Sequence, residues 1–143
     1  MPTRQSSAVW KGGLKSGSGQ VSVGKGVFQG TYSFPSRFED GTGTNPEELI
    51  AAAHAACLSM ALAAGLERAG TPAGRVSTRA SATLEKVGDA FRITKVRLEV
   101  RGTVTGITAA AFKEAAEKAK DGCPVSSALK GNVVMELDAQ LEG

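Results

Sequence analysis

The first part of the chain combines short apolar runs with closely spaced glycines. Val21 and Val23 alternate with the polar side chains of Gln20 and Ser22, which is typical of a strand with one buried face. A second apolar run covers residues 8–10, and glycines before and after these runs supply the turns. The pattern predicts an antiparallel meander within residues 1–36, followed by a polar loop over residues 34–44. Loops of this kind often carry functional side chains.

The most continuous apolar segment covers residues 49–66. Asn45 is a good N-cap, Pro46 suits the first helical position, and Gly70 can end the helix, so we predict a helix over residues 45–69. Because the helix is apolar almost all round, it must be buried on all sides. One small domain can hardly cover it, which favours a partner subunit. The segment barely reaches spanning length, so we expect a core helix and no membrane.

The second half of the chain alternates between strand and helix patterns. Period-two apolar positions predict a hairpin of strands over residues 76–84 and 91–100, with a bulge between Ile93 and Val96. Thr108 caps a helix that ends near Gly122, a short helix starts at Cys123-Pro124, and a last strand covers residues 133–141. This order predicts a single α+β domain over residues 1–143.

Composition and charge narrow the class of protein. Apolar residues make up 41% of the chain, the net charge is +3 and the pI is about 9.0. The basic residues are scattered among acidic ones, which argues against a nucleic-acid surface. The N-terminus has no apolar segment of the secretory type, so we expect a cytoplasmic protein.

Two cysteines are present, Cys57 in the apolar helix and Cys123 at the start of the short helix. They are too few for a cysteine-built zinc site, and a structural disulfide is rare in a reducing compartment. They are therefore either inert thiols or a redox pair. Burial would make Cys57 unreactive unless a positive charge lies close by, whereas a helix N-terminus lowers the pKa of a thiol such as Cys123.

Three further side chains are candidates for a role in the chemistry. Arg37 keeps its charge when buried and could hold a thiolate and the Glu47 carboxylate together. The spacing alone favours a plainer interpretation, with Glu47 compensating the helix dipole and Arg37 solvated. His54 lies one turn before Cys57, which would suit acyl transfer, but a packing role is favoured because no oxyanion loop is evident.

Two long motifs resemble the signatures of the OsmC/Ohr family, the osmotically inducible and organic hydroperoxide resistance proteins. The first runs over residues 43–62, around Cys57, and the second over residues 118–126, around Cys123. The Thr-Gly-Ile at residues 105–107 is similar too, and the likeness covers nearly the whole chain. The sequence of residues 45–50, together with His54 and the Arg-Phe-Glu of the loop, favours the OsmC branch.

The resemblance implies a function and a set of roles. Cys57 matches the peroxidatic cysteine, Cys123 the resolving cysteine, Arg37 the family arginine and Glu47 its acidic partner. The implied activity is thiol-dependent reduction of organic hydroperoxides, and of hydrogen peroxide less well, in oxidative and osmotic stress. The implied fold is an intertwined homodimer with antiparallel sheets wrapped around central helices. No metal or organic cofactor is implied, and the reductant is an external dithiol or a lipoylated protein.

Two questions stay open at this point. On an ideal helix, Glu47 and Cys57 lie about 15 Å apart along the axis and about 80° apart around it, so they cannot touch directly. Arg37 could bridge them, the first turn could deviate, or a partner chain could contribute. The competing functional class is a non-enzymatic dimeric stress or binding protein with silent cysteines. A thioredoxin-like oxidoreductase is disfavoured because the chain has no Cys-x-x-Cys motif.

Overall fold

A computed structural model describes residues 1–143 and contains six strands and four helices. In chain order they are β1 Ser6–Lys11, β2 Ser18–Val23, β3 Phe28–Tyr32, α1 Phe34–Phe38, α2 Pro46–Arg68, β4 Ala73–Val87, β5 Ala90–Val104, α3 Ala109–Gly122, α4 Pro124–Leu129 and β6 Val134–Leu141. The chain divides into two compact units, Met1–Leu49 and Ile50–Gly143. The mixed α+β class predicted from the sequence is confirmed.

The first unit contains a three-stranded antiparallel sheet in the order β1-β2-β3. The predicted meander is therefore confirmed. Gly19 in β2 lies under two aromatic rings, and a Cβ there would come within 2.5 Å of the Tyr32 ring and 2.7 Å of Trp10. The missing side chain lets the rings of Trp10 and Tyr32 meet at a centroid distance of 5.4 Å.

The prediction of a loop throughout residues 34–44 is wrong at its start, where α1 forms. Ser33 caps this helix, and its hydroxyl accepts from the Ser36 amide while the Ser36 hydroxyl accepts from the Ser33 amide. Pro35 in the first turn has a backbone angle suited to a helix. The reciprocal serine cap stabilises a helix of only five residues in which Arg37 is the basic residue of the last turn.

The predicted central helix is confirmed as α2. Its first turn is capped by Asn45, whose Oδ1 accepts a hydrogen bond of 2.8 Å from the Glu48 amide. Gly70 follows the helix with a φ of +89°, a conformation that glycine adopts without steric cost.

One stripe of α2 is fully buried, and most of the other side chains of the helix are partly or wholly exposed. The fully buried side chains recur every fourth residue, at His54, Leu58, Leu62 and Leu66. Met60 points elsewhere and is 75% exposed. By length and composition alone α2 could cross a membrane, a test that the core helix of a folded domain also passes. Only 22% of its most apolar window is buried in the single chain, so most of its apolar surface is uncovered.

The second unit is built on a sheet with the order β4-β5-β6. The β4–β5 hairpin is antiparallel, and Thr83 pairs with Lys95 while Leu84 pairs with Ile93. Thr94 is therefore the extra residue of a bulge, at the position that the shift in apolar phase predicts. The expectation of antiparallel sheets is wrong for β6, which pairs with β5 in parallel. The long connection through α3 and α4 allows this direction of return.

The core of the second unit lies between the sheet and the helices. Thr108 caps α3 by accepting from the Ala111 amide at 3.1 Å, as the sequence predicts. Phe112 of α3 is fully buried, and a Cβ on Gly102 of β5 would come within 2.4 Å of its ring. The buried apolar side chains are Leu58, Leu62, Leu66, Val96, Leu98, Val100, Val104, Phe112, Ala116, Ala119 and Ala139. This packing fixes the positions of α2, which contains Cys57, and of α3, which ends at Cys123.

Candidate active site

The two cysteines meet in the second unit although they are far apart in the sequence. Cys57 lies in the middle of α2, next to the buried stripe, and is partly exposed. Cys123 is fully buried at the junction of α3 and α4, where it is the C-cap of one helix and the N-cap of the next. Both are free thiols, and their side chains are hydrogen-bonding neighbours. The predicted position of Cys123 at a helix N-cap is confirmed.

The surroundings shift the pKa values of the two thiols in opposite directions. Burial raises the pKa of Cys57, and so does the neighbouring Cys123, while the Val125 amide acts weakly the other way. Burial alone would also raise the pKa of Cys123. Hydrogen bonds from Cys57, from the amide and hydroxyl of Ser126 and from the Val125 amide outweigh burial and hold that pKa below its ordinary value. Of the two thiols, Cys123 is therefore the one that ionises first as the pH rises.

The start of α4 contributes these amides without forming a regular cap. The Cys123 side chain makes no capping hydrogen bond of ordinary geometry with α4. The Val125 and Ser126 amides nevertheless lower the pKa of Cys123. Their effect is electrostatic, because sulfur is a large and weak acceptor whose contacts are long.

His54 and Ser126 form a buried polar contact beside the cysteines. His54 Nε2 lies 2.8 Å from Ser126 Oγ, and the histidine is fully buried while the serine is 4% exposed. Burial lowers the pKa of His54, so the ring is neutral at physiological pH. The predicted packing role holds for one ring nitrogen only, because Nδ1 is buried without a hydrogen-bond partner.

Ser126 is the residue at this site that the sequence reasoning missed. It follows Cys123 by three positions, and the Cys-Pro start of α4 places it at the third helical position. A residue three positions after an N-cap commonly faces back toward the cap. This spacing is the signal in the sequence that points to Ser126. It is weak because the next residue, Ser127, is also a serine.

Arg37 and Glu47 form an ion pair in the first unit. Arg37 Nε donates to Glu47 Oε1 at 2.8 Å, so the solvated interpretation favoured by spacing alone is wrong. The Arg37 side chain is 38% exposed and that of Glu47 is 9% exposed. The buried glutamate therefore holds an arginine that stays accessible. The Arg37 guanidinium also lies 5.5 Å from the Phe38 ring.

The ion pair leaves hydrogen-bonding capacity in two places. Arg37 uses Nε for Glu47, so its two terminal nitrogens can donate to another group. Glu47 Oε2 is buried and has no partner. An acceptor oxygen and a forked cation held side by side suit a small polar ligand that both donates and accepts hydrogen bonds.

The chain offers no site of the metal-binding type. No group of three or more His, Cys, Asp or Glu side chains is arranged to hold a metal ion. One pocket of the second unit is a separate feature, an open groove of about 880 Å³ between α2 and α3. Its walls are mainly small side chains such as Ala61, Ala64, Ala111 and Ala115, and neither cysteine lines it.

Comparison with known proteins identifies relatives of the chain. Residues 39–138 match the model of a family described as OsmC-like protein. The chain is 47% identical over 140 residues to peroxiredoxin OsmC of Escherichia coli, an alignment that covers 97% of this chain and 96% of the relative. It is 35% identical over 99 residues to an organic hydroperoxide resistance protein of Xanthomonas axonopodis, covering 68% of this chain and 67% of that protein.

Solved structures show the same fold. An organic hydroperoxide resistance protein OsmC from Legionella pneumophila superimposes with a TM-score of 0.75 at 25% identity, covering 98% of this chain and 99% of that one. OhrB of Bacillus subtilis, also an organic hydroperoxide resistance protein, gives a TM-score of 0.76 at 26% identity, with coverage of 95% and 98%.

Proposed function

Because the chain belongs to the OsmC family, we propose that it is a cysteine-based peroxidase that reduces organic hydroperoxides, and hydrogen peroxide less well. The observation that carries the proposal is that Cys57 and Cys123 are free thiols and neighbours, each of which shifts the pKa of the other. The names of the relatives, a peroxiredoxin and hydroperoxide resistance proteins, support a peroxide-related redox role.

The first step is attack by Cys57 on the peroxide. Its proton passes to Cys123, and the Cys57 thiolate forms a bond to the distal oxygen of the peroxide while the oxygen–oxygen bond breaks. Cys57 becomes a sulfenic acid, and the departing alkoxide takes the proton from Cys123 and leaves as an alcohol, so that Cys123 is a thiolate again. Cys57 is the attacking residue because it is partly exposed, whereas Cys123 is fully buried.

Arg37 and Glu47 are proposed to act on the oxygen atoms of the peroxide. Complete ionisation gains about tenfold in rate for a thiol of ordinary pKa near neutral pH, and more for Cys57, whose pKa burial raises, but it neither positions the peroxide nor stabilises the departing oxygen. Larger gains come from positioning the peroxide and stabilising the departing oxygen. The unpaired terminal nitrogens of Arg37 suit this task, and Glu47 holds the guanidinium in place.

The second step forms a disulfide and an external reductant breaks it. The Cys123 thiolate attacks the sulfur of the Cys57 sulfenic acid, the sulfur–oxygen bond breaks, and the released hydroxide takes a proton to become water. A dithiol or a lipoylated protein, as supplied in a reducing cytoplasm, then exchanges with the disulfide and restores both thiols.

A homodimer is part of this proposal. Most of the apolar surface of α2 is uncovered in the single chain, and the groove between α2 and α3 is walled by small residues that allow close approach. A second copy of the chain, intertwined with the first, would remove this surface from water.

The experiment is peroxide consumption with a supplied dithiol, comparing an alkyl hydroperoxide with hydrogen peroxide. We expect catalytic turnover in the native protein and none in Cys57→Ser. Cys123→Ser should consume one equivalent rapidly and form no Cys57–Cys123 disulfide, and any later consumption should come from further oxidation of Cys57 by excess peroxide. If both thiols react slowly with peroxide and no turnover is seen, the non-enzymatic dimeric alternative takes the place of the peroxidase.

A further inference from the structure

We propose that His54 and Ser126 are positioning residues, whose hydrogen bond holds Cys123 beside Cys57 in both the reduced and the disulfide form of the protein. This inference rests on the proposed redox pair and names what keeps the pair together. His54 Nε2 lies 2.8 Å from Ser126 Oγ, in the one hydrogen bond between a side chain of α2 and a side chain of α4. Both side chains are buried, the histidine completely and the serine with 4% exposure.

The spacing of the residues places each cysteine next to this hydrogen bond. His54 and Cys57 lie three positions apart on α2, so their Cβ atoms are about 5–6 Å apart on one face of the helix. Cys123 is the N-cap of α4 and Ser126 is its third residue, two positions whose side chains also face each other. Because the thiols of Cys57 and Cys123 are neighbours as well, the two segments run in opposite directions where they meet. The hydrogen bond and the thiol pair are thus successive contacts between α2 and the start of α4.

The first turn of α4 has few other attachments. The helix is six residues long, and Ser126 is its one buried residue. A helix of this length is not stable by itself. The Cys123 side chain makes no capping hydrogen bond, and Leu129 packs against the core at the opposite end of the helix. The position of the first turn, which Cys123 begins, therefore depends on the contact of Ser126 with His54.

The hydrogen bond has one direction. His54 Nδ1 is buried without a hydrogen-bond partner, and a buried N–H that has no acceptor is rare in folded proteins. Nδ1 therefore carries no hydrogen, so Nε2 carries one and donates it to Ser126 Oγ. Removal of the serine oxygen would leave this N–H buried and unpaired, which is more costly than the loss of an exposed hydrogen bond.

Disulfide formation requires the two segments to keep a defined separation. The Cα atoms of a disulfide lie about 4.4–6.8 Å apart, so a small displacement of α4 would take Cys123 out of range. A hydrogen bond one turn away restricts this displacement and raises the effective concentration of one thiol at the other. Its loss should therefore make the Cys57–Cys123 disulfide easier to reduce. A bond that only stabilised the fold would contribute equally to both redox forms and would leave the reduction potential unchanged.

The test is the equilibrium of the whole protein with reduced and oxidised dithiothreitol. The oxidised reagent takes two electrons and both thiol hydrogens as the Cys57–Cys123 bond forms and its own sulfur–sulfur bond breaks, and alkylation with mass spectrometry gives the oxidised fraction. Ser126→Ala and His54→Leu should each lower the equilibrium constant for disulfide formation about tenfold, which corresponds to a potential about 30 mV higher. The double variant should also lose about tenfold rather than about a hundredfold, because both residues act through one hydrogen bond.

Four control variants separate positioning from packing. Ser126→Thr keeps the acceptor oxygen and His54→Gln keeps a donor, so both should stay within about threefold of the unsubstituted protein. Ser127→Ala, at the exposed neighbouring serine, should cause no change. Gly102→Ala crowds the Phe112 ring in both redox forms alike, so it should lower stability without changing the potential.

Three results would overturn the inference: an unchanged or larger equilibrium constant in Ser126→Ala, independent losses that multiply in the double variant, or a loss in Ser126→Thr as large as in Ser126→Ala. If His54→Leu fails to fold, the comparison of alanine with threonine at Ser126 decides the question, because the alanine removes a single oxygen atom. The equilibrium requires no peroxide, so a protein that shows these shifts without turning over peroxide contradicts the peroxidase and retains the positioning role. If the unsubstituted protein forms no Cys57–Cys123 disulfide, the inference falls together with the redox pair.

Discussion

At the scale of single residues, the guanidinium group of Arg37 has two roles. Its Nε is taken by Glu47 at 2.8 Å, and its terminal nitrogens remain for a ligand. A lysine cannot hold Glu47 and a ligand in the same way, because it has a single ammonium nitrogen at the end of a flexible chain. The identity of this side chain therefore matters more than its charge.

Substitution of Arg37 tests that division. We expect Arg37→Ala to lower the rate constant of peroxide consumption by about 10²-fold or more, as removal of a transition-state donor does in other enzymes. Arg37→Lys should recover little of the loss. Stopped-flow single-turnover kinetics measure both. A loss of tenfold or less in Arg37→Ala would restrict the arginine to an effect on thiol ionisation.

The pKa of Cys57 predicts a pH dependence. Burial and Cys123 both raise this pKa, so the thiol is largely protonated at neutral pH. Below that pKa the thiolate fraction rises about tenfold per pH unit, and the rate of the first attack should rise with it. In Cys123→Ser one of the causes is removed, so the pKa of Cys57 falls and the profile moves to lower pH. Identical profiles for the two proteins would show that Cys123 has no influence on Cys57.

The residue-level predictions from the sequence succeeded where a motif is local and failed where a contact is distant. The Asn45 and Thr108 caps and the N-cap position of Cys123 depend on neighbours within a few positions. The His54–Ser126 contact joins residues 72 positions apart and was not predicted. The Arg37–Glu47 pair was implied by the family resemblance but not by the spacing, because it depends on a helix, α1, that the serine cap creates. Local patterns hold no information on such meetings.

At the scale of elements, the contact of α3 with β5 rests on a glycine. A Cβ at Gly102 would lie 2.4 Å from the Phe112 ring, so either the ring or the strand must move. Insertion of a carbon into a packed core costs typically 1–3 kcal/mol.

We therefore expect Gly102→Ala to lower the free energy of unfolding by about 1–3 kcal/mol in urea denaturation. Gly122→Ala is the matched control, since a Cβ there meets nothing within 4 Å and the backbone angle is ordinary. Equal stability of the two variants would mean that the ring is not held against the strand.

The elements themselves were largely predictable from apolar periodicity. The hairpin bulge at Thr94, the end of α2 before Gly70 and the start of α4 were all expected. The parallel pairing of β6 with β5 was not, because a period-two pattern reports which side chains are buried and contains nothing about strand direction.

At the scale of the whole molecule, the sequence-based predictions of a homodimer and of a single domain stay predictions. The uncovered surface of α2 is the observation that supports the dimer, and Met60 is its most exposed large apolar side chain, at 75%. Sedimentation should give twice the chain mass of 14.6 kDa at micromolar concentration. Met60→Glu should weaken association, while Met60→Leu should not. A well-folded monomer at that concentration would contradict the dimer.

The central claim is that Cys57 and Cys123 form one redox pair, and mass spectrometry of the oxidised protein tests it most directly. One equivalent of an alkyl hydroperoxide, followed by alkylation and non-reducing digestion, should yield one equivalent of alcohol and a Cys57–Cys123 peptide pair within a single chain. Cys123→Ser treated in the same way should carry a sulfenic acid on Cys57, which excess peroxide oxidises further. A disulfide between two chains, or free thiols alongside consumed peroxide, would contradict the account.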